Sequence, residues 1–181
     1  MPVAPAPRLH GPVSSGPMSD AALAHLFRYN AWATRTLIDF IRGLSPAQHQ
    51  ATSAGVYGNL EQTMAHVVRA EDYYAFLLTA ERPERRLAEG EPVDLDELLR
   101  HAERNASLFD RVARAPVDPD EPVAGRSGDP GARAVRVGIV LSQVLHHANE
   151  HRGQIRSILG ANGIKPPDIS PWAFGGGSED W

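Results

Sequence analysis

The stretch that decides the fold is Leu141-Ser-Gln-Val-Leu-His-His-Ala-Asn-Glu-His-Arg-Gly-Gln-Ile155. Apolar residues and two histidines recur in and around it at steps of three or four, the spacing of one helix face. The members of this stripe are Val137, Val140, Val144, His147, His151, Ile155 and Ile158. Two imidazoles at positions i and i+4 lie about 40° apart around a helix and about 6 Å apart along it, so both can bind one metal ion. The stretch predicts a long helix that carries part of a metal site.

Three further amphipathic segments precede this helix, each with apolar residues at helical spacing. They are predicted at residues 19–42, 59–80 and 95–114, and the fourth helix at 135–161. Side chains suited to capping free backbone N–H groups stand at their starts: Ser19 or Asp20, Asn59 and Asp94. The pattern predicts four long helices with defined beginnings.

Only one short hairpin, between Val123 and residues 135–137, is predicted among the helices. Four long amphipathic helices without a sheet are typical of an all-α four-helix bundle. The connecting loops of about 15 to 20 residues are longer than an up-and-down bundle needs. The fold prediction is therefore a four-helix bundle with long crossover loops.

Two tails flank the bundle domain, which is predicted at residues 19–163. Residues 1–18 are rich in proline and glycine, which predicts a disordered tail. Residues 164–181 hold three large aromatic side chains, which predicts packing on the bundle or on a partner subunit. These aromatic residues are Trp172, Phe174 and Trp181.

Composition excludes several classes of protein. The formal net charge of −4 over 181 residues gives no reason to expect nucleic acid or a membrane surface as a partner. The absence of cysteine excludes disulfides, a thiolate nucleophile and cysteine-bound zinc. No run of about 18 apolar residues occurs, and the N-terminus lacks the pattern of a signal peptide. A cytoplasmic protein is expected.

A third metal ligand can come from the second helix. His66 shares a sector with apolar residues there, where a lone histidine is more often a buried core residue than a ligand. A bundle nevertheless brings the second helix near the fourth, and three histidines with an open position form a catalytic type of metal site. His25 falls beside an apolar stripe and is expected to face solvent or to be half-buried. His101 is expected to face solvent, and His10 lies in the first tail.

Polar residues next to the two histidines of the fourth helix have alternative roles. Gln154 returns to the face of His147, where it can orient a histidine N–H or a bound water, or simply be a buried polar group. Glu150 lies at the edge of the stripe and is expected to be an exposed carboxylate, with a supporting or basic role as the alternative. Arg152 and Arg156 are expected to point towards solvent or salt bridges.

Two hydrolase interpretations find little support. His147-Ala-Asn-Glu150-His151 matches the H-x-x-E-H pattern of inverzincin proteases, but those enzymes are far larger, and their third acidic ligand has no obvious counterpart here. The G-x-S-x-G elbow of serine hydrolases, the P-loop and the G-x-G-x-x-G fingerprint are all missing from the sequence.

The sequence resembles the DinB/YfiT-like family of metal-binding four-helix bundles over roughly residues 20–175. The matching pieces are Phe27-Arg-Tyr-Asn-Ala-Trp-Ala33, Met64-Ala-His-Val-Val68, His147-Ala-Asn-Glu-His-Arg-Gly-Gln-Ile155 and Pro166-Pro-Asp-Ile-Ser-Pro-Trp172. The resemblance implies His66, His147 and His151 as the ligands of a divalent metal, zinc or nickel most often, in a bundle that commonly forms a homodimer. Many family members have a further histidine where this chain has Glu150, so substrate specificity does not transfer.

The resemblance also implies an activity. Relatives act as thiol-dependent S-transferases or isomerases that use a small cellular thiol such as mycothiol or bacillithiol, which the metal would bind as thiolate. The first hypothesis is therefore a metal-dependent enzyme of this kind. The alternatives are a non-catalytic, stress-associated metal-binding protein and a dimeric interaction module in which the aromatic tail matters more than the histidines.

Overall fold

The computed structural model describes residues 20–123 and 135–176, and its regular elements are helices. They are α1 (Asp20–Arg42), α2 (Pro46–His49), α3 (Leu60–Thr79), α4 (Leu95–Arg114), α5 (Val137–Ala161) and α6 (Pro171–Phe174). The four long helices begin and end within two residues of the predicted bounds, and the all-α prediction is confirmed. The predicted tail at residues 1–18 lies outside the described residues, as does Trp181.

The predicted hairpin is only partly present. Pro122 and Arg136 form one isolated antiparallel bridge, and the Val123 N–H donates to the carbonyl of Val135. No strand occurs in either described range. The bridge ties the chain together just before α5 begins.

Local capping fixes where α3 and α4 begin. The side chain of Asn59 accepts the backbone N–H of Gln62, whose side chain accepts the Asn59 N–H in return. Asp94 accepts two backbone N–H groups at the start of α4. Glu97, at the third position of α4, forms a salt bridge with Arg85 at 3.1 Å. Both helices therefore start at the side chain that the sequence indicated.

The four long helices form a ring in the order α1, α4, α3, α5. The closest packing is between α1 and α4 and between α3 and α5, while α3 with α4 and α1 with α5 complete the ring. Two connections of the chain, from α1 to α3 and from α4 to α5, therefore run between helices on opposite corners. This arrangement explains the long loops that the sequence showed.

The connection between α3 and α4 is long for a different reason. Asp72 pairs with His101, and further along both segments Glu81 pairs with Arg111. Because the paired residues follow the same order along both segments, α3 and α4 run parallel. Residues 80–94 must therefore return along the bundle, and their apolar side chains pack against the core.

Apolar side chains fill the two ends of the bundle, and the four long helices also bury polar residues. One cluster contains Leu37, Ile38, Ile41, Leu60, Met64, Ile155 and Ile158, and the other contains Phe27, Phe109, Leu141 and Val144. The buried polar residues are Asn30, Thr34, Thr63, Glu71, Asp72, His101, Asn105, His151 and Arg152. None of the helices in the described ranges is long and apolar enough to cross a bilayer.

The expectation that Arg152 points towards solvent or a salt bridge is wrong. Only 2% of this residue is exposed. Its Nη1 donates to the backbone oxygen and to Oδ1 of Asn30, at 3.1 and 2.8 Å, and to Oγ1 of Thr34 at 3.1 Å. The long side chain crosses from α5 to α1, and the acceptors on α1 replace the water that the guanidinium loses.

The expectation that His101 faces solvent is also wrong. The His101 side chain is buried, and its Nδ1–H donates to Asp72 Oδ2 at 2.7 Å. Asn105 donates to the other carboxylate oxygen of Asp72 at 2.9 Å. Although Arg100 and Glu103 beside it are exposed, His101 turns towards α3, where a buried carboxylate needs a donor.

The C-terminal tail packs on α1 as far as it is described. Tyr29 donates its hydroxyl hydrogen to the carbonyl of Ile169 at 3.1 Å, and the Ile169 side chain is buried. The Phe174 ring in α6 lies against Tyr29 and Trp32, with ring centroids 5.9 and 5.4 Å apart, and also against His25. His25 itself is exposed.

Candidate metal centre

Three histidines from two helices meet at the seam between α3 and α5. His66 comes from α3, and His147 and His151 come from successive turns of α5. The Nε2 atoms of His66 and His147 are 3.0 Å apart. One ligand atom from each of the three imidazoles lies within 4.8 Å of the other two. The site thus joins positions that are 81 residues apart in sequence.

Burial keeps two of these imidazoles, those of His66 and His147, uncharged at pH 7. Burial, reinforced by the neighbouring imidazoles, lowers the pKa of His147 to about 4. Burial also lowers the pKa of His66, with a smaller contribution from His151. A histidine whose pKa lies below neutrality has a free nitrogen lone pair at pH 7, and that is the form that binds metals.

A hydrogen bond sets the orientation of His151. Its Nδ1–H donates to Oε1 of Gln154 at 3.0 Å, which leaves Nε2 free of that contact. The same oxygen of Gln154 accepts the backbone N–H of Tyr57 at 3.1 Å. Gln154 therefore orients a histidine N–H, as the helical spacing suggested, and also links α5 to the loop before α3.

Sequence reasoning missed Tyr57. Its ring stacks on His66 with centroids 4.0 Å apart and planes 23° apart, and its ring is edge-on to His151 at 5.7 Å. Its hydroxyl donates to Oε1 of Glu89 at 2.8 Å, and this bond is the main reason why the pKa of Tyr57 is raised. Tyr57 lies in a loop, where no periodicity marks a residue as facing a site. The glycines around it, Gly55 and Gly58, were the only sequence signal.

A second tyrosine borders the site on the other side. The Tyr74 ring lies edge-on to His147, with centroids 5.8 Å apart, and its hydroxyl accepts from Gln143 at 3.3 Å. Glu150 does not join the cluster: its side chain is 57% exposed and lies 3.7 Å from the imidazole of His146. Arg156 is exposed as expected. The histidines are therefore bordered by two aromatic rings and one carboxamide.

Residues 18–174 match the DinB family. The match covers most of the chain, including the four long helices and the three histidines. The chain belongs to the DinB family. No curated protein matches this DinB-family chain.

The three histidines of this DinB protein fit a divalent metal ion by donor type and separation. Nitrogen donors at 2.0–2.1 Å from one tetrahedral zinc are about 3.4 Å apart, so a small closing movement brings atoms within 4.8 Å to that separation. Nδ1 of His147 is buried and has no hydrogen-bond partner among the described residues. The other nitrogen of that imidazole, Nε2, faces His66 at 3.0 Å, so the fit to a metal ion depends on the convergence of the three donors.

Proposed function

We propose that this DinB-family protein is a metal-dependent enzyme that binds one divalent transition-metal ion through His66, His147 and His151. The observation that carries the proposal is the convergence of three imidazoles from two helices within 4.8 Å, with the pKa of both His66 and His147 lowered by burial. Three nitrogen ligands leave at least one coordination position for a substrate or water, as in catalytic metal sites. Zinc and nickel both suit this donor set.

The proposed reaction is the transfer or isomerisation of a group at a small cellular thiol. A bound divalent ion lowers the pKa of a thiol or water ligand and so supplies a nucleophile near neutral pH. The chain contains no cysteine that could supply a thiolate of its own. Gln154 holds His151 in one orientation, and the surrounding rings restrict the access of water.

A non-catalytic metal-binding protein is the second candidate, and the aromatic border of the site favours it. Tyr57 covers one face of His66, and Tyr74 lies edge-on to His147. If these rings fill the remaining coordination positions sterically, the ion has a structural role only. The two candidates differ in whether an exogenous thiol can reach the ion.

The first experiment measures metal content by mass spectrometry on protein purified without a histidine tag. We expect about one transition-metal ion per chain, lost in His66→Ala, His147→Ala and His151→Ala. His146→Ala is the matched control, because this neighbouring imidazole has a side chain that is 73% exposed and lies outside the cluster. Wild-type protein that holds no metal after reconstitution would rule out both candidates.

The second experiment separates the enzyme from the non-catalytic protein. Protein loaded with cobalt(II) is titrated with small thiols, and its visible absorption is recorded. Direct thiol coordination produces a sulfur-to-metal charge-transfer band, whereas a closed site leaves the spectrum unchanged. Metal-dependent turnover of a panel of electrophiles with the same thiols would establish the enzyme, and its absence would favour the second candidate.

A further inference from the structure

Two of the loops that the bundle topology makes long meet beside the three histidines. Tyr57 belongs to the loop between α2 and α3, and Glu89 belongs to the loop between α3 and α4. Their side chains form a 2.8 Å hydrogen bond beside His66. Neither loop supplies one of the three histidines, yet both reach them through this pair.

We propose that Tyr57 is a positioning residue that fixes the histidines and slows the exchange of the bound ion, and that Glu89 holds it in place. The inference rests on the proposed metal site and adds a control of ligand geometry and access that the three histidines do not provide themselves.

Tyr57 restrains His66 through its ring. The two rings are nearly parallel, with centroids 4.0 Å apart, so the imidazole cannot turn about its χ2 angle without meeting the phenol. His66 is the only one of the three histidines on α3, and the stack is what keeps its ring aimed at the pair on α5.

Tyr57 restrains His151 through its backbone. Oε1 of Gln154 accepts from the Tyr57 N–H at 3.1 Å and from His151 Nδ1 at 3.0 Å. Two donors on one oxygen fix the plane of the carboxamide, and the carboxamide fixes the imidazole. The N–H of Tyr57 reaches this position after a turn at Gly55, whose φ of +78° is one that L side chains rarely adopt.

Glu89 and Arg69 hold the phenol from the other side. Glu89 accepts the Tyr57 hydroxyl hydrogen, and Arg69 on α3 donates to the carbonyl of Ala88 at 3.5 Å. The returning loop is thus attached to the helix that carries His66. Opening the site on this side requires the Tyr57–Glu89 bond to break.

A packing role explains Tyr57 less well. The residue is 42% exposed, so its ring contributes little to the apolar core. The broad face that it buries lies on a ligand histidine. Its contacts therefore serve the site more than the stability of the bundle.

The test measures how fast zinc leaves the full-length, zinc-loaded protein when a strong chelator is added in excess. We expect release to be about 10 to 100 times faster in Tyr57→Ala, the usual cost of losing a group that orients a metal ligand. Tyr57→Phe keeps the stack but loses the hydroxyl, so it should release zinc at an intermediate rate. Glu89→Ala removes the acceptor of that hydroxyl and should share this rate. The double variant of these two should be no faster than either one.

Tyr73→Ala is the matched control. This tyrosine is 48% exposed and contacts the Tyr74 ring rather than a histidine, so its variant should release zinc at the wild-type rate. A release rate for Tyr57→Ala within twofold of wild type would overturn the inference. Zinc stoichiometry is measured first, so failure of the metal site itself is recognised separately.

A metal-free measurement completes the test. Imidazole ¹⁵N resonances of His151 report which ring nitrogen carries the proton. In metal-free wild type and in Tyr73→Ala we expect the Nδ1–H form, held by Gln154. Tyr57→Ala keeps the backbone N–H that holds the carboxamide and should keep this form, whereas Gln154→Ala should give a mixture of both forms. An unchanged tautomer in Gln154→Ala would contradict the inference whether or not zinc binds.

Discussion

At the scale of single residues, the least expected feature is a buried chain of polar groups across the bundle. Arg152 donates to Asn30, and Asn30 donates to Glu71 Oε1 at 2.8 Å. Glu71 is fully buried, and this burial raises its pKa from 4.5 to about 7, although Asn30 and Arg152 act in the opposite direction. The carboxyl group therefore changes its charge near neutral pH.

The raised pKa of Glu71 predicts a pH-dependent stability. A group that binds its proton more tightly when folded contributes stability that is fully present below pH 4.5 and is lost as the pH rises through about 7. The difference corresponds to about 3 kcal/mol, at 1.36 kcal/mol per pKa unit. Glu71→Gln retains an acceptor for Asn30 and cannot ionise, so its stability should fall less between pH 5 and 8.

Urea unfolding of the wild type and Glu71→Gln at several pH values measures this effect. Glu103→Gln is the control, because that side chain is 51% exposed and should leave the pH profile unchanged. Parallel profiles for the wild type and Glu71→Gln would show that Glu71 has an ordinary pKa in the folded protein.

Residue-scale sequence reasoning succeeded where the evidence was periodic. His147 and His151 share a stripe, and a resemblance to a family added His66; the structure brings all three together. Reasoning failed for Arg152 and Tyr57, whose partners belong to other elements. Whether an arginine finds acceptors or solvent depends on which residues stand opposite, and the sequence of its own helix does not contain that information.

At the scale of elements, the long helices were predictable because their signals are local. Asn59 and Asp94 cap the helices that follow them, and the apolar spacing extends over many turns. The four-residue helices α2 and α6 were missed because one turn is too short to show a period. A hairpin was predicted where the structure has only the Pro122–Arg136 bridge, because the sequence pattern does not show how many residues form backbone pairs.

Two glycines of α5 provide a prediction at this scale. A Cβ on Gly138 would lie 2.9 Å from the Cβ of Pro119 and 3.1 Å from its carbonyl oxygen. That oxygen also accepts the Gly138 N–H. Nothing lies within 4 Å of a Cβ on Gly153. Gly138→Ala should therefore destabilise the protein by about 1–3 kcal/mol through crowding. Gly153→Ala should stabilise it by about 0.5–1 kcal/mol, because alanine favours an exposed helix interior.

Urea denaturation of both variants tests the pair. Each is a glycine-to-alanine change on the same helix, so the effect on the unfolded chain is shared and cancels in the comparison. Equal shifts of the two midpoints would mean that the approach of residues 115–123 to α5 contributes nothing to stability.

At the scale of the whole molecule, the loop lengths predicted long crossovers, and the structure has them. The sequence did not predict that α3 and α4 run parallel, because helix direction depends on which neighbours pack together in the ring. That arrangement brings residues 80–94 back along the bundle and places Glu89 beside the site. The position of Glu89 beside the site was thus not predictable without the parallel direction of α3 and α4.

The metal site predicts a coupling between metal and overall stability. An ion that binds only the folded protein stabilises it by about 2.7 kcal/mol at a free concentration of 100 Kd, which raises Tm by about 5–10 °C for a chain of this length. His147→Ala should fold without metal but lose this increase, and His146→Ala should keep it.

Differential scanning calorimetry with and without zinc measures the increase in Tm. An equal increase in His147→Ala would place the stabilising ion elsewhere on the protein. A wild-type Tm that zinc does not change, in protein shown to bind zinc, would mean that the unfolded chain binds the ion equally well.

The position of α5 as the last of the four long helices has a consequence for synthesis on the ribosome. A nascent chain that has released α1, α3 and α4 holds one of the three imidazoles, and the seam that α5 will fill is still open. Interrupted translation products therefore cannot complete the three-histidine cluster, and they leave their apolar seam accessible to cellular proteases. Under the proposed function, metal retention would mark the chains whose translation has passed residue 151.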